Sequence, residues 1–350
     1  MAAAFALGSD KRRRNLTILG GITAFAVLLA IVAVFQRSSE LAQKFEPRPF
    51  FPGLTTTVNN LGELAIVSKT GTVHVKLVND KWTVVERNNF PADFMQLRAA
   101  GSGLADLQIL EPKTARADWL EYLGLSAPPM GDAVQMTMTD KDGKVLADIL
   151  IGHAQGAPDA LGRNTLYVRK PNENQTWLAR GYLTTKADVS DWLEKGVIVI
   201  ARDRIKGATV TPVTGPAYTM VRDSKEQPDF KVLDLPKGRE LAFDGSPDGV
   251  AGAISGFTFD DVAKADGFDF SKVAQHVTNT FDGLNITVKI AVKDSASWAS
   301  VSAAGTNDMT KMEADKINAN VNGWAFKLSP MLAQQFTSPR ETLLKPPPGK

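Results

Sequence analysis

An uncharged stretch of twenty-one residues, Asn15–Phe35, constrains this chain more than any other sequence feature. At about 1.5 Å rise per residue, a helix of this length spans roughly the 30 Å of a bilayer's hydrocarbon core. Four basic residues, Lys11, Arg12, Arg13 and Arg14, directly precede it. Because an excess of Lys and Arg stays on the cytoplasmic side, the sequence predicts a single membrane crossing with a cytoplasmic N-terminus and the lipid bilayer as a partner.

A cleaved signal peptide is the alternative interpretation of the same stretch. Signal peptides also combine a basic segment with an apolar one, but their apolar segment usually has about 7 to 15 residues. The run in this chain is longer, and no small-x-small cleavage site follows at Val34–Arg37. These features favour an uncleaved anchor.

The charge and the cysteine content limit where this protein is expected to reside and what it is expected to bind. The net charge is +2, and residues 1–14 contribute four basic and one acidic residue, so the remainder is close to neutral. A nucleic-acid partner would need a basic stripe and is therefore not expected. The chain has no cysteine, which rules out disulfides and thiolate metal sites. A large cysteine-free domain outside the membrane is typical of the bacterial envelope, so we expect an inner-membrane protein with a periplasmic bulk.

Beyond the apolar stretch, alternating hydrophobic residues predict β-strands over residues 63–69, 72–78 and 81–87. Pro91 opens a predicted helix, and shorter helices are predicted at 116–125 and 187–195. A similar order of elements begins again near Val197. The offset is close to 150 residues, which pairs Trp82 with Phe230 and Gly103 with Gly256. The predicted fold class is α+β: one N-terminal transmembrane helix, then a duplicated unit of antiparallel β-meanders with helices packed on the sheets.

These patterns divide the chain into six predicted parts. They are a cytoplasmic basic tail at 1–14, a transmembrane helix at 15–35, a proline-containing stalk at 36–55, a first α+β unit at 56–196, a second at 197–336, and a flexible proline-rich tail at 337–350.

The sequence holds no motif that assigns a reaction. Its three histidines, His74, His153 and His276, occur in separate elements, so we expect them to be exposed and predict no metal site. Phosphate-binding loops, a complete dinucleotide fingerprint and a G-x-S-x-G elbow are all missing from the sequence. The prediction is a protein that is not an enzyme and uses no cofactor, with an envelope hydrolase as the alternative.

A glycine-containing segment at residues 152–162 joins two predicted strands. Irregular segments on rigid sheets often bind ligands, and a merely mobile loop is the other interpretation. Three tryptophans could contact a ligand or a partner: Trp177, Trp192 and Trp298. Their rings could stack on sugars, although burial in the core is the commoner fate of tryptophan.

Several stretches together resemble a known family. They are GTVHVKLVNDKWTVVE, FPADFMQLRAAGSGLADLQILEP, DWLEYLGLSAPP and DILIG in the first predicted unit, and VAGAISGFTFDDVAKADGFDF in the second. The chain resembles the bacterial domain of unknown function 4340 family over roughly residues 60–290. The resemblance implies association with the permease and ATPase subunits of an ABC exporter of the gliding-motility type. It carries no catalytic signature.

Two hypotheses of function follow. In the first, the chain is an accessory subunit of an ABC-type transport complex, with surfaces for partners and no chemistry of its own. In the second, it is a binding module that holds a small molecule, lipid or glycan in a cleft between the two repeats, since pockets favour the interfaces between domains.

Overall fold

Two antiparallel β-sheets dominate the computed structural model, which describes residues 18–23, 25–30 and 46–346. The strands of the ten-stranded sheet are β1 (Arg48–Pro49), β2 (Leu61–Val67), β3 (Thr72–Val78), β4 (Lys81–Val84), β5 (Phe90–Pro91), β6 (Gln108–Pro112), β7 (Val134–Asp140), β8 (Val145–Ala154), β9 (Asn164–Arg169) and β10 (Thr176–Gly181). The strands of the eight-stranded sheet are β11 (Ile205–Thr211), β12 (Tyr218–Val221), β13 (Lys231–Val232), β14 (Asp261–Lys264), β15 (Ala274–Thr280), β16 (Leu284–Lys293), β17 (Ala296–Gly305) and β18 (Trp324–Leu328).

Helices are few in the region from residue 46 to residue 346. They are α1 (Leu54–Thr57), α2 (Phe94–Ala105), α3 (Asp248–Ala251), α4 (Asp308–Val321) and α5 (Pro330–Thr337). Asp93 caps α2 by accepting bonds from two backbone amides, and Asn307 forms a capping box at the start of α4. Such caps satisfy the amides that a helix start leaves without partners.

Strict alternation of side chains sets which face of each sheet is buried. On β2 and β3 the apolar residues Leu64, Ile66, Val73 and Val75 are fully buried, while the residues between them point away from the core. The turn from β3 to β4 places Asn79 and its neighbour at φ 50° and 60°, the left-handed conformation that two-residue hairpins need. The local sequence therefore fixes both the turn and the register.

The two sheets share one succession of strands. From one edge, the second sheet runs β13-β12-β11-β15-β16-β17-β18-β14. The first sheet runs β4-β3-β2-β7-β8-β9-β10-β6, with the short β5 and β1 added at its two ends. The hairpin turns also match: Asp140 accepts a bond from the amide of Lys144 (2.9 Å), and Thr280 accepts one from the amide of Leu284 (2.8 Å). Each sheet is therefore built by the same chain path.

An aromatic seam joins the two sheets at their edges. Phe90 of β5 is fully buried, and its ring lies edge-on against three rings of the second unit. Its centroid is 4.9 Å from that of Trp324, 5.8 Å from that of Phe259 and 6.2 Å from that of Phe326. Such edge-to-face pairs are the favoured aromatic geometry. One continuous hydrophobic core consequently runs through both sheets.

Two cationic side chains of the first unit, those of Arg87 and Lys195, bind residues of the second unit across this seam. Nε and Nη2 of Arg87 both donate to the carboxylate of Asp261, with 3.0 Å between Nη2 and Oδ2. This pairing raises the pKa of Arg87. Lys195 donates to the carbonyl of Phe259 (2.7 Å) and lies 4.5 Å from the centre of that ring. Because burial disfavours an ammonium, the pKa of Lys195 is lowered.

The predicted fold class was wrong, because the described chain is mostly β-sheet and not α+β. The helix predicted at 116–125 is a single turn of 3-10 helix at Ala117–Trp119, and that predicted at 187–195 is one at Val189–Trp192. In the second unit, the helical segment near Gly256 consists only of α3 and a 3-10 turn at Ala253–Gly256. These segments are short, and isolated helices of this length are marginal, so hydrogen bonds to the neighbouring sheets decide their conformation.

The predicted transmembrane helix and inner-membrane location are also contradicted. No helix in the described part of the chain has the length and hydropathy that a membrane crossing needs. Within the predicted span the structure describes residues 18–23 and 25–30, which are helical. The rest of that span, and Lys11, Arg12, Arg13 and Arg14, lie outside the described residues.

Replacing Phe90 with alanine should destabilise both units together. Large-to-small substitutions of buried phenylalanine cost about 3–5 kcal/mol, and the cavity would open between the two sheets. Chemical denaturation of the full chain would measure the loss. Phe243→Ala is the matched control, since that ring is 67% exposed. An equal, small effect of the two substitutions would show that Phe90 does not hold the seam.

Candidate functional site

The segment between β6 and β7, residues 113–133, crosses the face of the first sheet opposite to the main core. It is attached by a small hydrophobic cluster in which Leu125, Ala133 and Leu150 are buried. The buried guanidinium of Arg169 fixes the backbone of the segment by donating to the carbonyl of Leu125 (3.0 Å). Burial lowers the pKa of this arginine. The hydrogen bonds that it donates to backbone carbonyls replace those that it would make to water.

A second attachment depends on a glycine of the sheet beneath. A Cβ atom at Gly152 would lie 2.2 Å from the carbonyl oxygen of Leu123, so only glycine lets the segment approach this closely. The next residue of the strand, His153, donates its backbone N–H to the same carbonyl (3.0 Å). The segment is therefore held rigidly at two points, Leu123 and Leu125.

The segment attached in this way exposes two large aromatic side chains to solvent. Trp119 is 48% exposed and Tyr122 is 78% exposed, with their ring centroids 6.2 Å apart and their planes at 60°. We call these two side chains the aromatic platform. The guanidinium of Arg116, which is paired with Asp118, lies 5.9 Å from the ring centre of Trp119. Met130 of the same segment is 89% exposed. Exposed aromatic, Met and Arg side chains are the types enriched in protein interfaces.

The three tryptophans singled out in the sequence lie on different elements. Trp177 is on β10, partly exposed, with Arg48 5.8 Å from its ring. Trp192 is fully buried and donates its Nε1–H to the carbonyl of Lys186. Trp298 is on β17, partly exposed, with its ring 4.8 Å from that of Phe268. They do not form a common surface, and a contact of any of them with a ligand stays a prediction.

The histidines differ in environment, so the expectation that all three are exposed was wrong for one of them. His74 is half-buried and its Nδ1 lies 2.7 Å from a carboxylate oxygen of Glu86, while the side chain of His153 is exposed. His276 is fully buried on β15, 2.9 Å from the carbonyl oxygen of Val250. Because a carbonyl only accepts, Nε2 carries the proton. Among residues that the structure describes, no group of three or more His, Asp or Glu could hold a metal ion.

The segment at 152–162 continues β8 as far as Ala154 and then turns. Asp159 organises the turn by accepting bonds from the amides of Leu161 and Arg163, each at 2.9 Å, and from the Arg163 side chain. These bonds, together with the pairing to Arg163, lower the pKa of Asp159. The segment is thus an internally bonded turn.

The sequence reasoning missed the aromatic platform. It assigned residues 116–125 to a helix on the sheet, in which Trp119 and Tyr122 would share one face. The available signal was Gly124, which takes φ +66° and stops helical continuation.

Comparison with known proteins yields one match. A family model described as "Domain of unknown function (DUF4340)" matches residues 82–267, slightly more than half of the chain. No curated protein and no solved structure matches. The matched region begins on β4 of the first sheet and ends before β15 of the second. It includes the aromatic platform and, from the seam, Phe90 and Phe259, while Trp324 and Phe326 lie beyond it.

The buried histidine should make the stability of the protein depend on pH. Burial lowers the pKa of His276 from 6.5 to about 4, so the unfolded chain takes up a proton at higher pH than the folded chain does. The free energy of unfolding should therefore fall as the pH drops from 6.5 to 4, by about 3 kcal/mol from this residue.

Denaturation of the wild type and of His276→Gln at pH 7 and at pH 4 would measure this effect. The variant should start less stable and should lose less stability on acidification than the wild type. Equal losses in the two proteins would show that His276 does not titrate in this range.

Proposed function

The chain belongs to the DUF4340 family, and we propose that it is a non-catalytic interaction protein that acts as an accessory subunit of an ABC-type transport complex. The ABC partner class comes from the family resemblance. The observation that carries the interaction role is the aromatic platform of Trp119 and Tyr122, held rigidly on the first sheet. The two parts of the proposal are tested separately.

Rigidity matters because ordering a flexible surface reduces binding affinity. Immobilising a side chain at an interface costs about 0.5–1.5 kcal/mol. The platform is already ordered by the bonds to the carbonyls of Leu123 and Leu125 and by the hydrophobic cluster beneath. Trp and Tyr are also the side chains most often found as binding hot spots. A partner with a complementary apolar pocket would bury both rings at little conformational cost.

The space between the two sheets offers less support to the cleft hypothesis. That space is filled by Phe90 and the rings around it, and it is bridged by Arg87 and Lys195. A ligand there would have to displace buried aromatic contacts. The proposal therefore places partner binding on the outer face of the first sheet.

Affinity purification of the tagged full-length chain from its native cells, followed by mass spectrometry, tests the partner class. We expect an ABC ATPase and a permease in near-stoichiometric amounts. Recovery of the chain alone, from an extract in which other transport complexes stay assembled, would refute the accessory-subunit role.

Paired substitution of Trp119→Ala and Tyr122→Ala tests the platform. Loss of two hot-spot side chains should weaken partner recovery at least tenfold, while the melting temperature stays near that of the wild type because both rings are exposed. Phe243→Ala, which removes an exposed ring of the second unit, should leave recovery unchanged. Full partner recovery by the double variant would place the contact elsewhere on the chain without excluding the ABC complex.

A further inference from the structure

An open groove lies beside α2 in the first unit, away from the aromatic platform. Its volume is about 310 Å³, near the lower end of the range for ligand sites, which is roughly 300–1,000 Å³. The side chains of Val58, Leu61, Trp82 and Leu97 form its apolar walls. Leu61 and Leu97 are buried, so this part of the wall belongs to the packed core and is ordered without a ligand.

The lining of the groove also includes one charged side chain. Arg98, on the exposed side of α2, lines the groove together with the polar side chains of Asn59 and Ser102. Among the described residues, no carboxylate lies within ion-pair distance of this guanidinium, although many other arginines of the chain are paired. An apolar groove with one uncompensated cation at its rim complements a ligand that has an apolar body and an anionic head.

In the second unit, the position equivalent to the groove is closed by a side chain. Phe230 corresponds to Trp82, and it is buried beneath the guanidinium of Arg222, which lies 5.0 Å from its ring centre. Trp82, by contrast, is partly exposed and faces the groove. The first unit therefore leaves open an aromatic surface that the second unit seals with its own side chain.

The helical segments of the two units also differ in a way that leaves the groove open only in the first unit. Counting from Gly103 and from its counterpart Gly256, Gly101 corresponds to Ile254, which is fully buried. A Cβ atom at Gly101 would lie 3.2 Å from Cγ2 of Val58, so any side chain there would press against the groove wall. The missing side chain at this position is one reason why the groove exists.

From this geometry we propose that the groove binds a small monomeric acid with a single apolar chain. Arg98 bonds the carboxylate, and the chain lies against Trp82 and Leu97. The volume suits one chain and excludes the paired chains of a bilayer lipid. This site is independent of the aromatic platform and of any ABC partner.

Isothermal titration calorimetry with decanoate and the full chain tests the site. Decanoate should bind, decyltrimethylammonium should bind at least tenfold more weakly because its head has the opposite charge, and acetate should give no signal because it lacks the chain. Absence of decanoate binding, or equal binding of the two decyl probes, would overturn the proposal.

Substitutions locate the binding. Arg98→Gln removes the charge from an exposed side chain and should weaken decanoate roughly ten- to hundredfold. Lys316→Gln, which removes an exposed charge on α4, is the matched control and should have no effect. Equal affinity of wild type and Arg98→Gln would exclude the groove as the site.

Gly101→Ile imitates the second unit and should abolish decanoate binding by filling the groove. Because the new side chain is tightly placed, its fold is checked by thermal melting, and the smaller Gly101→Ala should give an intermediate loss. Undiminished binding by Gly101→Ala and by a folded Gly101→Ile would show that decanoate binds somewhere else.

Discussion

The insertion of Phe90 between the edges of two sheets is the interaction on which the rest of the structure depends. A sheet edge has unpaired backbone groups and attracts unwanted partners. Here the edge near β5 meets the edge formed by β14 and β18, and Phe90 fills the space between them. The ion pair of Arg87 with Asp261 fixes how the edges align. Each unit thus covers one edge of the other, and a single core results.

Because the two units follow the same chain path, the residues at which they differ can be compared directly. Eight strands follow the same succession in both sheets, so side chains at equivalent places can be compared as in two related proteins. Gly101 against Ile254, and Trp82 against Phe230, differ in the direction that opens a groove in the first unit only. The exposed Trp119 and Tyr122 also belong to the first unit, which therefore carries both candidate binding surfaces.

The strands and the long helix α2 were predictable from the sequence, whereas the conformations of the shorter predicted helices and the surfaces were not. Period-two alternation identified β2, β3 and β4, because one buried face suffices to impose that pattern. The helical spacing at residues 116–125 was misleading, since attachment to Leu123 and Leu125 decides the conformation there. The groove was invisible because Val58 and Trp82 reach α2 from distant parts of the sequence.

The position of Phe90 along the chain also has a consequence for biosynthesis. Its partners Trp324 and Phe326 follow more than 230 residues later. At about 5–20 residues per second, a ribosome needs roughly ten to fifty seconds to add them. Once Gly181 of β10 has been added, the first sheet is complete in sequence, yet its aromatic edge has nothing to cover it until β18 follows. Exposed apolar surface makes an incomplete chain prone to misassociation, so the late arrival of β18 prolongs the time during which Phe90 is such a surface.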